Sequence, residues 1–407
     1  MVTRMPNDHK FKHIIFLRNP EENPAWGGLE KLMFEWFERI DYNEYQVTLS
    51  VTKKWVGIFK EKLSEKNLPV QVVDLPFEPK KDLFLKRFFS LISFLNKKRP
   101  DTIVFMQGWM FSFNVTDVLA GALIAPGRVF LHENLGPPNP VPKESKQYFG
   151  FIEGLGLWWY LQIYKALLRA HMANKIIVVS REIKERLVSL WQYPEDQVLV
   201  KHHGVDLDQF KPSNEIRTKM REILKIPSDE TVIVIASRLS KEKCIHRSIE
   251  AFGTLSRNTS NLTLLILGDG PLNKDLRTLA EARCGKKALF LGHVGNVGDY
   301  LKMSDIFLLS SDNEGFGISL IEAMATGLIC VSTKCPGPNE IIQDGINGFL
   351  VEKSTDGVLE GLSRALKLST VQKSQVQAKA VSYVTANFEI NERVREVFEV
   401  LGIGYLK

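Results

Sequence analysis

Four cysteines in 407 residues leave little room for a disulfide framework. All of them (Cys244, Cys284, Cys330, Cys335) lie in the second half, and none is spaced as a zinc ligand set. Reduced thiols are the expectation. No run approaches the roughly 20 apolar residues that cross a bilayer, and Met1–Lys10 is polar, without the apolar core of a secretory signal. A cytoplasmic location is expected on those grounds. Gly-x-Gly-x-x-Gly and Walker patterns are missing too, which disfavours dinucleotide-dependent dehydrogenases and P-loop NTPases.

What is present is ordinary in amount and informative in arrangement. Apolar residues make up 44% of the chain and charged residues 25%, as in an average soluble globular protein. The length suits two domains of roughly 200 residues each. Net charge is +6, and the stretch Lys80–Arg99 carries seven basic residues against the single acid Asp82. The rest of the chain is therefore balanced, which is not the diffuse basicity of a nucleic-acid binder.

Short apolar runs alternate with helical patterns throughout, the signature of doubly wound parallel sheets. Strands are expected at His13–Leu17, Tyr45–Val51, Thr102–Met106, Val129–Leu131 and Lys175–Val179. The pattern restarts with Thr231–Ala236, Leu262–Leu267, Leu289–Leu291, Ile306–Leu309 and Leu328–Val331. Turn formers mixed with charge in Gly204–Ser213 suggest the seam. The expected division is 1–207, 208–388 and a C-terminal helical segment 389–407 packing back on the first domain. Ligands of such sheets bind beyond the carboxyl ends of the strands.

The polar residues after those strands form the candidate site. After Ile306–Leu309 comes Asn313-Glu314-Gly315-Phe316-Gly317-Ile318-Ser319-Leu320-Ile321-Glu322. It reads as a glycine loop opening a helix that runs to about Gly327, with Glu314 at the mouth and Glu322 one to two turns in. Such a helix start aims backbone N–H groups at an anion. Flanking carboxylates would accept hydroxyl hydrogen bonds, a combination suited to a nucleotide sugar. After Thr231–Ala236 come Arg238 and Lys243, able to neutralise a diphosphate as a fork and a point charge. Gly268-Asp269-Gly270-Pro271 follows the next strand. His132 is expected at the exit of Val129–Leu131, and Trp26-Gly27-Gly28 precedes the first helix. Taken alone, Gly27–Gly28 reads as a plain turn, the basic loop as a solvated one and His132 as structural.

Together, in this order, these motifs resemble the GT-B glycosyltransferases of family 4 (retaining, with two glutamates separated by seven residues). Val179-Ser180, Gly204-Val205-Asp206, Phe290 to Val294, Pro336 to Glu340 and Asp344 to Phe349 extend the resemblance over nearly the whole chain. It implies two Rossmann-like domains around a cleft, an acceptor side in the first and a nucleotide-sugar site in the second. Arg238 and Lys243 would hold the diphosphate, and Glu314 the donor sugar. The Gly315, Phe316, Gly317 and Ile318 segment would supply amides, and Glu322 would take the ribose. His132 would lie near the reacting carbon, Gly27 and Gly28 against the phosphates, Gly268 in the nucleotide-site turn and Val294 against the base. A UDP-, GDP- or ADP-linked donor, a glycan or lipid-linked acceptor, and no metal or other cofactor are the implied partners. Cys244 and Ser237 depart from the family's usual glycines, which puts loop geometry in question and leaves the charged groups intact. A nucleotide-sugar epimerase-like enzyme and a non-catalytic glycan- or membrane-binding protein stay open as alternatives.

From Asp82 to Lys97 a polar stripe (Asp82, Lys86, Ser90, Ser93, Lys97) runs along a mostly apolar helix. Its apolar face is expected to pack on the first sheet, with the basic rim of Lys80–Arg99 left to touch an anionic membrane. The aromatic cluster Leu157–Leu161 is a candidate for the acceptor side.

Overall fold

The computed structural model describes residues 11–19, 27–78, 82–107, 113–133, 168 and 171–406. Trp26, Lys80, Lys81 and the Leu157–Leu161 cluster lie outside them. The chain forms two compact units, one of Met1–Lys201 with Val394–Lys407, the other of His202–Arg393.

Each unit is a parallel sheet. In the first, the described strands are β1 (Lys12–Arg18), β2 (Tyr45–Val51), β3 (Val70–Asp74), β4 (Thr102–Gln107), β5 (Val129–Glu133), β6 (Lys175–Val178) and β7 (Val198–Val200), in the order β3-β2-β1-β4-β5-β6-β7. The second holds β8 (Thr231–Ala236), β9 (Leu262–Leu267), β10 (Ala288–Gly292), β11 (Ile306–Leu309), β12 (Ile329–Thr333) and β13 (Phe349–Val351), in the order β10-β9-β8-β11-β12-β13. Counted within its own unit, each sheet runs 3-2-1-4-5-6, with a seventh strand added after the sixth in the first, so both are doubly wound and the expected fold class is borne out. The order reverses beside the first strand of each, between β1 and β4 and between β8 and β11. That switch point is where such sheets open a crevice.

Central strands are buried on both faces, and their sequences are accordingly apolar without alternation: Leu262–Leu267 and Ile306–Leu309 are buried throughout. Strand β5 is longer than expected. Its ladder with β4 continues through Met106↔His132 and Gln107↔Glu133, so His132 stands inside the strand rather than at its exit. A three-residue apolar run marked only where the buried face is hydrophobic, and the backbone pairing goes on beneath the polar side chains.

In the first unit, Phe16, Trp36 and Phe37 form the aromatic centre of the core. The end of the chain joins it: Phe398 meets Trp36 edge-on at 6.5 Å, and Leu406 donates its N–H to the Arg39 carbonyl.

The helix Phe84–Lys98 corrects two expectations. Arg87 is not part of a basic surface, because it is buried, salt-bridged to Asp117 of the helix Val115–Ile124, and stacked 4.5 Å over Phe77. Nor is the apolar face wholly packed. Leu91 and Leu95 are buried, whereas Leu83, Leu85 and Phe89 are 78%, 55% and 64% exposed.

Candidate functional site

The loops after β8 and β11 meet at the switch point of the second unit. The first runs from Ser237 through a single 3₁₀ turn, Lys241–Lys243, into the helix Ile245–Ser256. The second runs from Ser310 to Gly317 and opens the helix Ile318–Ala325. Lys243 Nζ donates to Glu314 Oε2 at 2.5 Å, so the sequence-predicted cation and acid, 71 positions apart, face each other. Burial pulls the Lys243 ammonium down, but the Glu314 carboxylate beside it outweighs that by charge and hydrogen bond, and the net shift is upward. Lys243 is therefore a fixed positive charge at any working pH.

Several bonds hold the two loops together. Ser310 Oγ donates to the carbonyls of Lys243 and Cys244 at 3.1 Å. Asp312 N–H donates to the Glu242 carbonyl at 2.8 Å. The Asp312 carboxylate accepts from Cys244 Sγ at 3.0 Å and from Arg247 Nη1 at 2.5 Å. Cys244 sits at φ +47°, the left-handed region that a glycine would occupy without strain. Its thiol hydrogen bond to Asp312 helps hold that conformation, and burial and Asp312 raise the thiol pKa to about 11. All four cysteines are free and buried.

The remaining residues of this unit fall into distinct roles. Arg238 is half-buried on the same loop as Lys243. Gly268, at φ +123°, lies against that loop: a Cβ there would come within 2.0 Å of the Ser237 carbonyl oxygen, so its packing supports the loop. Gly315 and Gly317 bracket Phe316, whose ring is 2% exposed and stacks on His202 at 5.4 Å. Only the backbone of Phe316 can face a ligand. Gly317 caps the helix at φ +99°, and Ile318 begins it; the first turn leaves N–H groups without intrahelical acceptors. Glu322 is buried one turn into this helix at 5% exposure. Val294 is half-buried in the loop after the edge strand β10.

In the first unit the glycine turn has an organiser that is absent from the residues singled out in the sequence. Arg18, ending β1, places Nε and Nη2 at 3.1 and 2.7 Å from Glu30 Oε1. The other oxygen of Glu30 accepts from Gly27 N–H at 3.2 Å. Gly27 is the N-cap and Gly28 the first residue of the helix Gly28–Phe37. An acid three residues beyond a helix cap is the readable signal. His132 is 1% exposed and meets Trp36 edge-on at 5.3 Å. Burial, then the Arg18 charge, depress its pKa to about 3, so the imidazole is neutral under ordinary conditions. Among the described residues no group of three His, Cys, Asp or Glu is placed to hold a metal ion.

Two doubly wound units, with a cation–carboxylate pair and a helix start at the switch point of the second, define a GT-B architecture. The model of the Glycosyl transferases group 1 family matches residues 216–381, and that of Glycosyltransferase Family 4 matches residues 26–209. The chain belongs to the family 4 glycosyltransferases. It is 34% identical over 152 residues to N-acetyl-alpha-D-glucosaminyl L-malate synthase of Bacillus anthracis, covering 37% of this chain and 40% of that protein. It is 27% identical over 244 residues to UDP-Gal:alpha-D-GlcNAc-diphosphoundecaprenol alpha-1,3-galactosyltransferase of Escherichia coli, covering 58% and 62%. The matches span about half the length of such curated relatives. Anabaena Alr3699/HepE, solved in complex with UDP and glucose, superposes with a TM-score of 0.76 over 96% of this chain and 99% of its own, at 19% identity. At that identity the likeness concerns the fold alone.

Proposed function

We propose that this protein transfers a sugar from a nucleotide-sugar donor to a hydroxyl of a glycan or lipid-linked acceptor, with retention of anomeric configuration and without a metal. Surface polysaccharide, lipopolysaccharide or glycolipid assembly at the cytoplasmic face of a membrane is the proposed setting, and the diphosphoundecaprenol in the name of the Escherichia coli relative supports a lipid-linked acceptor. The carrying observation is the Lys243–Glu314 pair at the switch point of the second unit.

The chemistry follows from charge. Breaking the sugar–diphosphate bond builds negative charge on the departing phosphate and positive charge on the sugar. Lys243, Arg238 and the first-turn amides at Gly317 and Ile318 answer the first demand. Fixed donors of this kind are worth several kcal/mol. Glu314, now paired with Lys243, is the group that a donor's phosphate would displace from the ammonium, leaving the carboxylate to accept from a sugar hydroxyl. Glu322 would accept from the ribose and Val294 would lie against the base. His132, neutral, can offer or accept a hydrogen bond but carries no charge to the reaction. The attacking hydroxyl would lose its proton to the departing phosphate oxygen on the same face, which yields retention.

A panel of UDP-, GDP- and ADP-sugars, read by thermal shift, should single out the donor by mass action. With that donor, Lys243→Ala and Glu314→Ala are expected to lower turnover about a hundredfold or more while circular dichroism stays unchanged. Activity retained in both would sink the assignment. Rapid donor turnover with no acceptor present would favour an epimerase-like enzyme instead.

A further inference from the structure

Phe316, in the loop between β11 and the helix Ile318–Ala325, is enclosed by rings from two other stretches of the second unit. It stacks on His202 at 5.4 Å with the planes 23° apart. His203 and Phe388 meet it edge-on, at 5.3 and 5.4 Å. Val205 donates its N–H to the Phe388 carbonyl at 2.8 Å, which brings the histidine stretch and the end of the helix Thr370–Asn387 to one place.

Ring packing alone would suit any aromatic residue, and His202 is distinguished by a second partner. Its Nε2 lies 3.0 Å from Glu340 Oε2, with the two side chains only 21% and 17% exposed. A carboxylate only accepts, so Nε2 carries the hydrogen and the ring must keep that N–H aimed at Glu340. Such a contact adds little net stability, but it fixes the orientation of the ring. Glu340 stands on the helix Pro336–Ile341, which is itself bonded to the same loop. Gly337 donates its N–H to the Glu314 carbonyl at 3.2 Å. A Cβ on Gly337 would come within 1.9 Å of the Phe316 carbonyl oxygen. The loop is thus gripped by its backbone at Gly337 and by its ring at His202, and the His202–Glu340 contact joins the two grips.

The loop needs outside support of this kind. Gly315 and Gly317 flank Phe316, and glycine leaves the direction of neighbouring amides to be set by contacts elsewhere. We infer that His202 and Glu340 are positioning residues, which act through the Phe316 ring to aim the backbone N–H groups of Phe316, Gly317 and Ile318 at the diphosphate of a nucleotide sugar. Preorganised amides stabilise phosphate charge without reorganising as it develops, so a loop released from this grip would lose that advantage. The inference rests on the proposed donor site for its consequence, whereas the grip on the loop can be measured with no nucleotide present.

The first measurement is hydrogen exchange of the full-length protein, read by mass spectrometry. In His202→Ala and Glu340→Ala, the amides of residues 314–319 are expected to exchange roughly three- to tenfold faster, the scale of one lost ring or polar contact. Leu262–Leu267 should keep wild-type protection. Glu340→Gln, which retains an acceptor for Nε2–H, should restore slow exchange in the loop. His202→Phe keeps the stack but has no N–H for Glu340; faster loop exchange is expected there too, and it carries the test if the alanine variants do not fold. Calorimetry with UDP, GDP, ADP and their nucleosides is the second measurement. The diphosphate that wild type binds should bind the alanine variants roughly three- to tenfold more weakly, with nucleoside affinity unchanged. Loop exchange that does not respond overturns the inference. So does exchange that rises equally in Leu262–Leu267, which would mean a merely structural role. If wild type binds none of the diphosphates while loop exchange still depends on His202, the donor reading has failed and the grip stands. If the alanine variants bind the diphosphate as tightly as wild type, the positioning role has failed and the donor reading stands.

Discussion

His132 shows how far a residue's setting can depart from what its type suggests. A histidine beside a strand end invites the role of an acid or base. Enclosed in β5 against Trp36, with Arg18 nearby, it holds no proton until about pH 3. In the unfolded chain an ordinary histidine takes up its proton near pH 6.5. Between these values the unfolded state binds more protons, so stability rises with pH across that window and is complete above it. The slope contributed is on the order of 1 kcal/mol per pH unit. His132→Phe, which keeps a ring against Trp36, is expected to flatten the pH dependence of urea-unfolding free energy between pH 6.5 and 4.5. An undiminished slope would mean that the imidazole titrates normally. Residue type alone could suggest His132, but its burial and the Arg18 charge arise from strands that pair only in the folded sheet.

At the scale of elements, the loops after β8 and β11 work as one part. Lys243 is held at Glu314 because Ser310 and Asp312 grip the backbone and side chains of residues 242–247. Asp312 and Cys244 should therefore be energetically coupled. Asp312→Ala is expected to cost about 1 kcal/mol, chiefly by removing the carboxylate that Arg247 and the Cys244 thiol share, which leaves the thiol only the Lys241 carbonyl at 3.2 Å. In a Cys244→Gly background, where φ +47° is unstrained and no thiol needs a partner, the cost should fall by roughly half or more. A double-mutant cycle by urea denaturation checks this, and strict additivity would show that the contact is incidental. The same scale explains which elements were legible. Strands buried on both faces, such as Leu262–Leu267, announce themselves by unbroken apolar runs. The short edge strands β3, β7 and β13 are half-covered or only three residues long, and went unread. The helix Phe84–Lys98 was visible as an amphipathic segment. Which of its apolar side chains are covered depends on the neighbouring helix, which the segment's own pattern does not contain.

At the scale of the molecule, two units built on the same 3-2-1-4-5-6 core of strands sit on one chain, and most of the residues proposed for the donor lie in the second. Unfolding need not be two-state in such a protein. In scanning calorimetry, a saturating donor (about 100 times its Kd) should stabilise the unit that binds it by about 2.7 kcal/mol. The expected outcome is that one transition moves while the other stays. Equal movement of both would show that the units unfold as a single cooperative body, and movement of neither would remove the donor site from the second unit.

The sequence by itself determined the class of the protein. Apolar runs of strand length, repeated twice, require doubly wound sheets, and the order of Arg238, Lys243, Glu314 and Glu322 marks the family, because each follows a strand whose position the runs already define. Tertiary structure alone decided that Lys243 meets Glu314, that Arg18 and Glu30 organise Gly27, that Arg87 turns inward and that Phe89 does not. Those outcomes depend on contacts between residues far apart in the chain, and burial and electrostatic strength are properties of the surroundings that such contacts create.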